Sequence, residues 1–71
     1  MTFGQRMRSR REALSISPEE MADGIGVSRP TVVRYELDNK MPPLMVAKSI
    51  AEVLGCTVDD LLNGGEDENA V

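Results

Sequence analysis

Residues 17–36 read SPEEMADGIGVSRPTVVRYE, and within this stretch two serines, Ser17 and Ser28, each stand where a helix can begin. Ser17 precedes Pro18, with Glu20 three positions on. A serine N-cap, a proline at the first helical position and a glutamate reaching back to the cap satisfy two orphan N–H groups and lose no donor. Met21, Ala22 and Ile25 then share one face of a helix barely two turns long. Gly26 ends it, because glycine takes φ > 0 without cost. After Val27, Ser28 caps again, and Pro30 still lies inside the first turn, where its missing N–H is harmless. Val32 and Tyr35 are three apart and point inward from a helix over about 29–37. Arg29, Pro30, Val33 and Arg34 are left on the opposite side.

Outward from this stretch the pattern stays helical. Over about 2–14, Phe3, Met7 and Leu14 form an apolar stripe with arginines on the other faces. Asp38 to Pro43 reads as a loop in which Asn39 tolerates a left-handed conformation. Leu44, Ala47, Ile50, Ala51 and Leu54 repeat at helical spacing over about 43–54, and Gly55 supplies the stop. Thr57 with Asp60 three on opens a short last helix through Leu61 and Leu62, ended by Asn63-Gly64. The expectation is an all-α domain of five helices over 2–63, followed by a flexible acidic tail over 64–71.

Composition narrows the chemistry. The chain has 71 residues, 41% of them hydrophobic and 28% charged, which is enough for one small core and no second domain. Histidine is absent and Cys56 is the single cysteine, so the common general base, Ser-His and Cys-His pairs, disulfides and zinc ligand sets are all missing. No catalytic residue, metal or cofactor is expected. The apolar runs fall far short of the roughly 20 residues a membrane helix needs, no secretory leader is evident, and the expected setting is a reducing cytoplasm without membrane contact. The net charge of −4 is unevenly spread: residues 1–40 carry seven basic against six acidic residues, and 41–71 carry one against six. Arg6, Arg8, Arg10 and Arg11 crowd the first eleven positions. Of these, Arg6 reads as a solvated surface residue, and Arg10 either snorkels to solvent or approaches a phosphate. Met7 and Met21 read as core filler, Met41 and Met45 as exposed, and Cys56 as a small buried hydrophobe.

Two short helices joined by a tight glycine turn, the second with a polar and basic outer face, make a helix-turn-helix arrangement. A helix that enters a groove roughly 12 Å wide must protrude, and its outer residues must reach base edges. Phe3-Gly4-x-Arg6-Met7-Arg8, Glu19 to Asp23 with Ile25 to Arg29, Thr31-Val32-x-Arg34-Tyr35-Glu36, Pro42, and Ile50-Ala51-x-x-Leu54-Gly55 together resemble the phage repressor and Cro family of regulators. The resemblance covers about 3–63. It implies a compact five-helix, lambda-repressor-like domain that binds double-stranded DNA in a bacterial or phage setting, often as a homodimer on a roughly palindromic operator. It places Arg29, Pro30 and Arg34 at the base-reading positions, with Thr31 and Val33 beside them. Arg11 and Glu36 match a pair that joins the first helix to the end of the third. Ser17, Ser28, Lys40 and Arg11 are the expected phosphate contacts, and 41–46 with 57–62 the expected dimer contacts; no small-molecule ligand is expected.

The chain also departs from the family. Pro18 stands where a glutamine commonly touches the DNA backbone, and Asp38 where a glycine usually follows the third helix, which suggests that the turn shifts to Asn39. Pro18 and the net acidity favour a second reading, a protein-binding module such as an antitoxin or antirepressor built on the same fold. The resemblance implies either a complete small Cro-like regulator or the amino-terminal part of a longer one.

Overall fold

A computed structural model describes residues 1–64. Five helices follow one another: α1 (Phe3–Ala13), α2 (Pro18–Ile25), α3 (Arg29–Glu36), α4 (Leu44–Leu54) and α5 (Val58–Asn63). The described residues contain no strand, and none of their helices is long and apolar enough to cross a membrane. The expected acidic tail lies, apart from Gly64, outside the described residues.

Cap chemistry sets the helix boundaries. At α2, Ser17 Oγ accepts from the Glu20 N–H at 3.0 Å, and Glu20 Oε1 accepts from the Ser17 N–H at 2.8 Å, closing the expected box. Thr57 and Asp60 do the same for α5, at 3.0 Å in both directions. The Thr57 N–H, donating to the Asp60 carboxylate, holds that carboxyl below its ordinary range, assisted by the Thr57 hydroxyl and the charge of Arg10. A third box, Thr2 with Gln5, opens α1. Gly26 and Gly55 close α2 and α4 at φ 76° and 69°.

The core is a single cluster to which every helix contributes: Phe3 and Met7 from α1, Met21, Ala22 and Ile25 from α2, Val32 and Tyr35 from α3, Ile50, Ala51 and Leu54 from α4, and Leu61 from α5. Met7, Met21, Val32, Ile50 and Leu61 are fully buried, each worth roughly 1.5–3 kcal/mol relative to exposure. α2 packs against α3 and α4, while α1 lies across α3, α4 and α5. Cys56 is half-buried at the edge of this core, and desolvation pushes its thiol up.

Several expectations are corrected. Leu14 is not a core residue: α1 stops at Ala13, Leu14 is its C-cap, and Ser15 at φ 58° turns the chain so that Leu14 is 52% exposed. Arg11, one turn beyond Met7, takes the last buried place on the α1 stripe. Leu44 is likewise outside the core at 76% exposure, because it is the first residue of α4 and the buried face starts at Ala47. The left-handed residue after α3 is Asp38 itself, at φ 61°, rather than Asn39. Arg6 is not merely solvated: its Nη1 donates to the carbonyls of Leu61 and Leu62 at 3.2 and 2.9 Å, satisfying the end of α5.

α1 meets α3 with almost no clearance. A Cβ on Gly4 would lie within 2.5 Å of the Tyr35 and Glu36 carbonyl oxygens, both of them backbone atoms that cannot swing aside. Gly4→Ala is therefore expected to cost about 3 kcal/mol, the upper end of overpacking effects, read as a lower urea midpoint; an unchanged midpoint contradicts this packing. The Asp60 cap carries a pH signature. Its depressed carboxyl contributes stability that is present above its unfolded value of about 3.9 and lost as pH falls through the folded one. Wild type should exceed Asp60→Asn in stability at neutral pH, and the two melting curves should converge on acidification; a gap that is constant with pH would contradict the assignment.

Candidate nucleic-acid interface

α2, the turn and α3 form a compact unit. The Gly26 and Val27 N–H groups both donate to the Ala22 carbonyl, at 2.9 and 3.0 Å, so the chain reverses within two residues. Ser28 then caps α3, its Oγ accepting from the Thr31 N–H at 3.4 Å, while the two hydroxyls lie 2.8 Å apart. Pro30 occupies the first turn, where no intrahelical donor is needed.

α3 has two contrasting sides. Val32 and Tyr35 are buried in the core at 0% and 3% exposure, and Glu36 is buried beside them. On the other side Arg29, Pro30, Val33 and Arg34 are exposed, with Thr31 half-buried between. Arg29 with Val33, and Pro30 with Arg34, are four residues apart and form adjacent rows along the helix. The ion pairs among the described residues are Arg8–Glu12 and Arg11–Glu36, so neither Arg29 nor Arg34 is engaged by a described carboxylate. Two guanidinium groups, each with five donors, thus stand on an outward face.

The inner side is held by charge as well as by packing. Arg11 Nε donates to Glu36 Oε2 at 2.7 Å and Nη2 donates to Oε1 at 3.2 Å, a bidentate pair with both side chains buried. Arg11 Nη1 donates to the Ile16 carbonyl at 2.8 Å. The hydrogen bond to Glu36 raises the Arg11 pKa against the opposing effect of desolvation. Sequence reasoning places this pair correctly. It also puts Arg11 among the phosphate contacts, and that is corrected: Arg11 is 7% exposed, and each of its three guanidinium nitrogens already donates to Glu36 or Ile16.

The other expected phosphate positions fall around the same unit. Ser28 and Lys40 are exposed, at the start of α3 and in the loop after it, and Ser17 is half-buried at the start of α2. The capping box takes the Ser17 and Glu20 N–H groups, and the Glu19 and Glu20 side chains add negative charge there. Arg10 is turned toward α5, where its charge acts on Asp60 and Cys56. An open cleft of about 450 Å³ lies beside it, lined by Met1, Arg6, Ser9, Arg10, Asp60, Asn63 and Gly64. No α3 residue lines that cleft, so the protruding face and the concave one are separate. Asp38, which sequence reasoning treats only as a turn residue, accepts from the Gly4 N–H at 2.9 Å and from the Thr2 hydroxyl. No local pattern signals that contact.

The family model described as "Helix-turn-helix" matches residues 7–61. The chain is 32% identical over 62 residues to the SPbeta prophage-derived uncharacterized HTH-type transcriptional regulator YonR of Bacillus subtilis (strain 168), covering 87% of this chain and 57% of that protein. It is 30% identical over 64 residues to the cryptic phage CTXphi transcriptional repressor RstR of Vibrio cholerae, covering 90% and 58% respectively. The chain thus spans just over half the length of these relatives. Among solved structures, the P22 c2 repressor in complex with synthetic operator 9T superposes with a TM-score of 0.87 at 28% identity, over 90% of this chain and 97% of that one.

The buried pair yields an asymmetric prediction. Arg11→Met or Glu36→Leu alone leaves a charge buried without its partner and is expected to cost about 3–5 kcal/mol, whereas the double variant replaces both by apolar groups and should lose much less. Urea unfolding of the three variants checks this; additive losses would contradict it.

Proposed function

Because the chain belongs to the helix-turn-helix family, we propose that it is a sequence-specific DNA-binding regulator of transcription, a repressor, that inserts α3 into the major groove of operator DNA. The observation that carries this reading is the pair Arg29 and Arg34: both exposed, both without a described carboxylate partner, and both on a helix whose other side is locked into the core. Arginine donates bidentately to guanine O6 and N7, so a preference for guanine at two positions of each half-site follows. Pro30 and Val33 offer apolar contact to thymine methyl groups, and the Thr31 hydroxyl bonds a base or a phosphate. Ser28, Lys40 and, through the hydroxyl hydrogen that the capping box leaves unused, Ser17 bind phosphates and set the register, which base contacts then read. Similarity to an operator-bound repressor supports this arrangement. It requires no reaction and no cofactor.

One copy offers few phosphate contacts, so the operator is read by a homodimer on two half-sites roughly 34 Å apart, one helical turn. Met41, Leu44 and Met45 in one segment and Leu62 in the other are exposed apolar side chains within 41–46 and 57–62, and they supply the contact between copies.

The test starts from duplexes selected out of random DNA. Specific binding should weaken as a power of salt concentration, each neutralised phosphate adding about 0.9 to the slope. Arg34→Ala should cost roughly 1–3 kcal/mol on the selected site and relax selectivity at one base pair. Equal loss on every sequence would make Arg34 a phosphate contact. A failure to bind any duplex, with stoichiometric capture of a protein partner instead, would replace this reading by that of a protein-binding module.

A further inference from the structure

The strained residue after α3 and the open end of α1 meet. Gly4 is the second residue of α1, and its N–H is one of the donors that a helix start leaves without an intrahelical partner. Asp38 Oδ1 accepts from it at 2.9 Å, across 34 residues of sequence. The Thr2 hydroxyl accepts from the Gln5 N–H at 3.2 Å and donates to Asp38 Oδ2, so Gln5, Thr2 and Asp38 form a relay in which each bond polarises the next. The carboxylate also sits at the positive end of the α1 dipole. Asp38 reaches this place only at φ 61°, a conformation that glycine would take without cost and aspartate tolerates better than most side chains.

We propose that Asp38 is a positioning residue for the reading helix: its carboxylate caps α1 from across the fold and thereby sets the angle at which α3 presents Arg29, Val33 and Arg34. Two attachments join the end of α3 to α1, Asp38 to Thr2 and Gly4, and Glu36 to Arg11. Along α1, positions 4 and 11 are about 10 Å apart at 1.5 Å per residue. Val32 and Tyr35 hold α3 against the core, Arg11–Glu36 ties its end to one point of α1, and the Asp38 contacts add a second point, offset along a rigid helix, that fixes its tilt. The consequence for DNA rests on the function proposed above, whereas the angle itself does not.

The experiment measures both separately in the full chain. Residual dipolar couplings of backbone amides report the orientation of α3 relative to α2 and α4. In Asp38→Gly, the α3 couplings should no longer fit the wild-type orientation while those of α2 and α4 still do. Asp38→Asn keeps both partners, its amide oxygen accepting from the Gly4 N–H and its amide N–H donating to the Thr2 hydroxyl oxygen, and should restore the fit. On DNA, Asp38→Gly should lower the ratio of affinities for a selected over a scrambled duplex about tenfold, comparable to one mismatched base pair, without lowering affinity for the scrambled duplex. Wild-type couplings in Asp38→Gly overturn the inference whatever happens on DNA. Shifted couplings in a chain that prefers no duplex leave the inference standing and overturn the DNA reading instead. If Asp38→Gly does not fold, Thr2→Val removes one of the two donors to the carboxylate and should tilt α3 in the same sense; an untilted α3 there overturns the inference equally.

Discussion

The junction between α1 and α3 is the constraint on which the rest depends. Here the Gly4 backbone lies directly against the Tyr35 and Glu36 carbonyls, and the buried Arg11–Glu36 pair spans the same two helices. α3 has only eight residues, too few to be stable as a helix by itself in water. Its order comes from what it packs against. Val32 and Tyr35 bind it to the core, and the α1 contacts settle how it lies there. A buried ion pair is weak evidence for net stability, since desolvation offsets the attraction. Its better-supported contribution here is geometric, because a bidentate guanidinium–carboxylate pair tolerates one relative orientation.

A helix held this firmly on one side can leave the other side free of structural duty. That is why Arg29, Pro30, Val33 and Arg34 stay exposed without loosening the fold, and why the chain can present bare guanidinium groups despite a net charge of −4. The excess of acidic over basic residues falls after position 40, six against one, whereas residues 1–40, which include Arg29, Arg34 and Lys40, carry seven basic against six acidic. Separation of charge along the sequence thus accounts for how an acidic chain can approach a polyanion.

Local chemistry was legible in the sequence, and long-range chemistry was not. The Ser17–Glu20 and Thr57–Asp60 boxes, the Ser28 cap and the stops at Gly26 and Gly55 all depend on residues within four positions, and the structure bears each of them out. The same three-residue spacing stands at Thr2 and Gln5 and goes unused in the reading of 2–14. Leu14 and Leu44 show the limit of periodicity: it tracks a face but is blind to where the helix ends, and both leucines sit at an end. Arg6 and Asp38 find their partners 55 and 34 residues away, beyond any local pattern. The Arg11–Glu36 pair was visible only through family resemblance. On the interface itself, the period of three between Val32 and Tyr35 was enough to place Arg29, Pro30, Val33 and Arg34 outside.

Native-state hydrogen exchange tests directly whether α3 is locked to α1 and the core as one unit. The amides of Val33, Tyr35 and Glu36 should then open only with the whole domain, showing the same opening free energy and the same denaturant dependence as the amides of Met7 and Ile50. Exchange of the α3 amides through a smaller, denaturant-independent opening, while those of α1 and α4 remain protected, would contradict the account.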